Sequence, residues 1–145
     1  MKQVIKRSLQ LAILALGIAL GAGAGAHSDE HLATVSAPHG GQLRMAGALH
    51  LELVLEPGLV KVYLSDHAFQ PVSADRATGS ATVLRGGKRV LVPLRPAGAN
   101  LLTGKGKLDV ARDARIAVKV TRPGEMPETA EFAPTAAWHP GHETR

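Results

Sequence analysis

Residues 49–65 read LHLELVLEPGLVKVYLS, and their alternation of apolar and polar side chains decides the fold class. A period of two is typical of a strand that buries one face. Pro57-Gly58 at the centre suits a type II turn, because glycine tolerates the positive φ that this turn requires. A two-residue turn at this point predicts a hairpin register in which every pair on one face is apolar. The predicted pairs are Leu55 with Val60, Leu53 with Val62, and Leu51 with Leu64.

Strand signals continue to residue 132. Gly86-Gly87 separates the runs Ser80–Arg85 and Lys88–Leu94, and this pair suits a tight hairpin turn with positive φ angles. No segment keeps a helical period of 3.6 residues over ten residues. We therefore predict an all-β fold, an immunoglobulin-like antiparallel β-sandwich of about seven strands, with a small barrel as the alternative. Three more short strands are predicted at Leu101–Leu108, Arg115–Thr121 and Thr129–Phe132.

Residues 1–26 have the features of a secretory signal peptide. Basic residues precede an apolar core, Leu9–Leu20, which is too short to span a bilayer comfortably. Small residues at the end allow cleavage after Ala24 or after Ala26. The rest of the chain is predicted to contain a short, mobile N-terminal arm at 27–38, the β-sandwich domain at 39–132 and a flexible, histidine-containing tail at 133–145.

Composition excludes several classes of function. Removal of the leader, which has three basic and no acidic residues, lowers the formal net charge from +5 to +2, and aromatic residues make up only 3% of the chain. Neither value suits a nucleic-acid-binding protein. The absence of cysteine excludes thiolate metal sites and cysteine catalysis. No hydrolase motif and no second membrane-length apolar stretch occurs, so we expect neither an enzyme nor a membrane contact after processing.

Histidines are the residues that suggest chemistry, and all seven follow the leader. In the predicted hairpin register His50 lies opposite Ser65, with His67 diagonal to it and Glu52 beside it on the outward face. His39 precedes the hairpin in the segment Pro38–Gly41 and can fold over this face. Imidazole and carboxylate ligands together suit zinc, copper or nickel. The alternative is that these are ordinary solvated side chains on an open sheet face.

Both termini offer further candidate ligands. Cleavage after Ala24 would expose Gly25-Ala26-His27, whose amine, peptide nitrogens and imidazole form a square-planar chelate for Cu(II) or Ni(II). Cleavage after Ala26 would instead make His27 the first residue, so its amine and imidazole could form part of a copper-binding histidine brace. The tail contains His139 and His142, which could capture a metal weakly or simply keep the tail soluble.

Five short segments within residues 38–104 carry a family resemblance. They are Pro38–Gly41, His50–Val54, Val62–His67, Ala77–Gly79 and Pro96–Gly104. Through them the chain resembles small periplasmic proteins associated with heavy-metal resistance. It also resembles the extra N-terminal domain of some periplasmic adaptor subunits of heavy-metal efflux pumps of the resistance-nodulation-division type. The resemblance spans roughly residues 38–132 and implies metal handling in the periplasm, with His39, His50 and His67 as the matching histidines.

The leading hypothesis is thus a non-catalytic periplasmic protein that binds copper, zinc or another heavy-metal ion and is accessory to efflux or resistance. Its predicted ligands are His39, His50, Glu52, His67 and His27. An accessory role follows because the chain lacks the long hairpin and barrel of an adaptor. The alternatives are an interaction domain that docks on an efflux adaptor, with incidental histidines, and a redox-active histidine-brace copper protein. The sequence leaves copper, zinc, nickel and cobalt open.

Overall fold

A computed structural model describes residues 28–106, 108 and 110–133, and it is all-β apart from one helical turn. The predicted leader, His27 and the tail beyond residue 133 lie outside the described residues. No helix in the described part is long and apolar enough to cross a membrane. The elements are α1 (Asp29–Leu32), β1 (Gln42–Ala46), β2 (Leu49–Glu56), β3 (Leu59–Ser65), β4 (Thr78–Arg85), β5 (Lys88–Pro96), β6 (Leu101–Lys105), β7 (Arg115–Thr121) and β8 (Glu128–Phe132).

The eight strands pair antiparallel in one continuous order, β1-β2-β3-β6-β5-β4-β7-β8. The two end strands, β1 and β8, contact each other, so the sheet nearly closes into a barrel. Side chains bridge this seam: the Gln42 amide donates to the carbonyl of Ala133, and Glu128 accepts from the backbone N–H of Ala48. The all-β, antiparallel prediction is therefore confirmed, whereas the immunoglobulin-like sandwich is not. The alternative of a small barrel describes this single sheet better.

Both predicted hairpins are confirmed in register. Leu51, Leu53 and Leu55 lie opposite Leu64, Val62 and Val60, and Gly58 has a φ of 73°. In the second hairpin Arg85 pairs with Lys88 across Gly86 and Gly87, whose φ angles are both positive. The predicted Leu101–Leu108 strand is shorter, ending at Lys105. One strand, β1, was not predicted.

The main core fills the inside of the curved sheet. Alternate residues of the strands point inward, and the six apolar residues predicted to pair on the inner face of the first hairpin are all buried. Strands from the other half of the sheet complete the packing. The largest contributors are Leu51, Leu53, Leu64, Val62, Leu102, Ile116, Val118 and Phe132.

A second, smaller buried layer lies on the outward face of β1 and β2. Leu32 and Leu43 are 1% and 3% exposed but do not belong to the main core. Leu43 pairs with Glu52 and so shares its outward face, while α1 packs against β1. The α1 turn begins at Ser28, whose hydroxyl accepts from the His31 backbone N–H, as an N-cap residue does. The N-terminal segment thus covers part of the outward face, which the alternative interpretation of the sequence took to be open to solvent.

Candidate metal centre

The outward face of β2 and β3 carries the polar side chains that the sequence singled out. In the observed register His50 pairs with Ser65 and Glu52 pairs with Tyr63. His50 is 0% exposed and Glu52 is 3% exposed. Burial of a charged group is costly unless the group is paired. The interpretation as solvated surface residues therefore does not hold for these two.

Glu52 is paired with the segment that precedes β1. Its Oε2 lies 2.7 Å from Nδ1 of His39, and its Oε1 accepts from the backbone N–H groups of His39 (2.8 Å) and Gly41 (3.0 Å). One buried carboxylate thereby receives three N–H groups and fixes the path of the chain around His39. Because a carboxylate only accepts, the Nδ1 that faces it carries the ring proton, and Nε2 keeps its lone pair.

The two glycines after His39 make this approach possible. Gly40 has a φ of 73°, a conformation that other residues rarely adopt. Gly41 lies so close to β2 that a Cβ atom would come within 2.7 Å of the Val54 Cγ2 atom and would also meet the carbonyl of Leu53. These contacts explain why glycine occupies positions 40 and 41 of the segment Pro38–Gly41.

The His39 ring is further held by an aromatic neighbour. It stacks on Tyr63 with ring centroids 3.6 Å apart and planes 2° from parallel. The imidazole side chain is still 42% exposed. His39 is thus oriented by one carboxylate and one ring while part of it stays accessible from solvent.

Two further histidines, His50 and His67, lie on the same side of the hairpin. The rings of His50 and His67 have centroids 5.2 Å apart, and Phe69 packs 4.8 Å from His50. The turn that carries His67 and Phe69 is held by Asp66, whose Oδ1 accepts from the backbone N–H groups of Ala68 and Gln70. Phe69 has a φ of 60°, an unfavourable conformation for a bulky residue, and such strain is found most often at functional sites.

The predicted ligands therefore form two adjacent pairs, His39 with Glu52 and His50 with His67. Positions 50 and 52 are two residues apart along β2, about 7 Å at the usual strand rise. Within the described residues no three His, Asp or Glu side chains are grouped closely enough to hold a metal ion. His27, His139 and His142 lie outside the described residues, and their role as ligands stays a prediction.

One basic side chain of this face, Lys61, pairs with a neighbouring carboxylate. Lys61 Nζ lies 2.5 Å from Glu56 Oε1 at the β2–β3 turn. This hydrogen bond, supported by the negative charge of Glu56, raises the pKa of the Lys61 ammonium. The Lys61 charge is thus balanced by Glu56 at the β2–β3 turn.

Sequence reasoning missed three contributors to this site. It did not anticipate the contact of Phe69 with His50, the donation from Gly41 to Glu52, or the cover provided by α1. The Ser28-Asp29-Glu30 stretch is a helix-start signal that could have indicated α1. The positive φ of Phe69 has no comparable signal in the sequence.

Comparison with known proteins gives no outside guide to this arrangement: the chain matches no family model, no curated protein and no solved structure. The function must be inferred from the geometry of the His39–Glu52 and His50–His67 pairs.

Proposed function

We propose that the protein binds a heavy-metal ion, copper first and zinc second, through histidines on the outward face of β2 and β3. The observation that carries the proposal is that the His50–His67 pair and the His39–Glu52 pair lie on one partly covered face. His39 comes from the chain before β1, His50 from β2 and His67 from the turn after β3. Imidazole is a preferred ligand of both copper and zinc.

Glu52, predicted as a ligand, is assigned a positioning role. Both of its oxygens already accept N–H groups, and its contact with Nδ1 of His39 leaves Nε2 to face the metal. A carboxylate that accepts from the second nitrogen of a ligating histidine is the usual outer partner in metal sites. It fixes the tautomer and makes the imidazole a better electron donor.

His67 and His39 can adjust to an ion because both are accessible. His67 is exposed, and its Nε2 lies 3.2 Å from the carbonyl of Gly47. Exposed side chains change rotamer on the picosecond-to-nanosecond scale. His50 is buried and provides the fixed ligand, towards which the two accessible imidazoles close when an ion arrives.

The cellular role proposed here rests on the leader and on the family resemblance. The leader indicates export, and the resemblance implies a periplasmic accessory of heavy-metal efflux that holds or delivers an ion to an adaptor subunit. His27 at the mature N-terminus is proposed as a separate ligand for Cu(II).

Removal of the paired imidazoles tests the proposal. We expect the His67→Ala variant, and more strongly the His50→Ala, His67→Ala double variant, to lose metal affinity. The loss should exceed about tenfold, the lower limit reported even for removal of an outer partner of a ligand. Isothermal titration calorimetry with Cu(II) and Zn(II) measures it, and circular dichroism verifies the fold. If the double variant does not fold because it lacks the buried His50, the metal affinity of the His67→Ala variant alone tests the proposal.

His31→Ala is the matched control, because His31 is an exposed histidine on α1 that is not among the predicted ligands. This variant should bind both metals as the unaltered protein does. Equal binding by His67→Ala, the double variant and the control would contradict the sheet-face site. It would instead favour an interaction domain with incidental histidines.

The N-terminal ligand is tested separately with proteins that begin at Gly25, His27 or Ser28. A Gly25-Ala26-His27 terminus must deprotonate two peptide nitrogens, which Cu(II) promotes and Zn(II) does not. The protein that begins at Gly25 should therefore bind one more Cu(II), but no more Zn(II), than the one that begins at Ser28. Identical copper stoichiometry in all three would contradict a role for His27.

A further inference from the structure

A methionine, Met45, lies next to His50 on the neighbouring strand. Strand β1 places Met45 directly opposite His50, and antiparallel partners project on the same face of a sheet. The Met45 backbone N–H points away from β2, since it donates to Asp29 Oδ1 at 2.8 Å. Met45 and His50 therefore form a non-hydrogen-bonded pair, the type in which the two side chains lie closest.

His67 reaches the same end of the hairpin. Its Nε2 lies 3.2 Å from the carbonyl of Gly47, two residues after Met45, while its ring stays 5.2 Å from that of His50. The two imidazoles and the strand position of Met45 thus lie at the same end of the hairpin, beside the β1–β2 turn. Met45 is half-buried.

The cluster is bordered by one aromatic ring and by carboxylates that backbone N–H groups already engage. Phe69 packs on His50, Glu52 accepts from His39 and Gly41, and Asp29 and Glu128 accept from the N–H groups of Met45 and Ala48. Hard divalent ions prefer oxygen ligands, whereas a soft thioether selects Cu(I). Methionine is a polarizable side chain that can adapt its three torsions to an ion.

We propose that this cluster is a Cu(I) site in which His50, His67 and Met45 are the ligands. The inference rests on the proposed metal-binding function and adds to it the oxidation state of the ion and the residue that selects it. The thioether would favour Cu(I) over Zn(II), which takes nitrogen, oxygen and thiolate ligands. The ion is bound as Cu(I) and released as Cu(I), without an electron transfer.

Met45→Leu tests this assignment, because it keeps the volume and apolar character of the side chain and removes only the sulfur. Cu(I) is titrated anaerobically against the chromophoric chelator bicinchoninate, and Zn(II) is titrated in parallel. We expect Met45→Leu to weaken Cu(I) binding at least about tenfold and to leave Zn(II) binding within about twofold. X-ray absorption of the Cu(I)-loaded protein should show a sulfur ligand that is absent in the variant.

Met126→Leu is the matched control, since Met126 is 80% exposed in the loop before β8. This variant should bind Cu(I) and Zn(II) with the same affinities as the unaltered protein. Unchanged Cu(I) binding in Met45→Leu, or an equal loss of Cu(I) and Zn(II), would overturn the thioether assignment. The proposed function would still stand if the His50, His67 double variant lost metal. Failure of the unaltered protein to bind Cu(I), Cu(II) or Zn(II) would overturn both.

Discussion

Replacement of Leu53 by alanine should lower the free energy of unfolding by about 2–5 kcal/mol. Leu53 is 0% exposed, lies opposite Val62 in the first hairpin and belongs to the core inside the sheet. Truncation removes buried methyl groups and leaves a cavity. The neighbouring strands cannot move in to fill it, because backbone hydrogen bonds hold them in the sheet. Chemical denaturation followed by circular dichroism measures the change.

Leu91→Ala is the matched control, because it removes the same atoms from a side chain that is 57% exposed on β5. Its effect should stay within about 0.5 kcal/mol, as for most surface substitutions. A similar loss in both variants would mean that Leu53 does not occupy the core and that the inner face of the hairpin is assigned wrongly.

The first hairpin could be predicted because two local signals agree. Alternation assigns each residue to a face, and the turn at Pro57-Gly58 fixes which residues lie opposite each other. His50 and His67 were assigned to one face by the same reasoning, and their rings are adjacent in the structure.

Strand β1 escaped prediction because its apolar residues point to both faces. Ala46 faces the core, whereas Leu43 lies on the outward face and is buried in the layer that α1 covers. A strand buried on both faces has no period of two. The burial of Leu43 depends on a segment distant in sequence, so no local pattern records it.

The near-closure of the sheet could not be predicted from the sequence either. Strands β5 and β6 share only two residue pairs, Arg95 with Thr103 and Pro96 with Leu102. This short ladder, together with the seam between β1 and β8, decides between two separate sheets and one continuous sheet. Such long-range pairing depends on the packing of the whole chain and leaves no motif in any one strand.

Glu52 is the residue whose role the sequence described least well, and its substitution should have the second large effect. Alternation placed it beside His50 as a possible ligand. The contacts with His39 and Gly41 arise only because Gly40 adopts a positive φ and turns the chain back onto β2. Glu52→Ala should destabilise the fold by about 1–3 kcal/mol for each buried N–H group left without an acceptor.

Glu52→Gln separates the positioning role from the structural one. The amide oxygen can still accept from the backbone N–H groups of His39 and Gly41, so most of the stability should be kept. The amide nitrogen, however, donates where a carboxylate oxygen accepted. Nδ1 of His39 must then become the acceptor, and the ring proton moves to Nε2, the atom proposed to bind the ion.

We therefore expect Glu52→Gln to lower metal affinity about 10–100-fold, with far less loss of stability than Glu52→Ala. Calorimetric titration measures the affinity, denaturation measures the stability, and NMR of the imidazole nitrogens reports the tautomer of His39. Retained affinity together with a changed tautomer would show that His39 is not a ligand. Reduced affinity with the original tautomer would instead contradict the tautomer-setting role, because the loss of the negative charge of Glu52 would then account for the weaker binding.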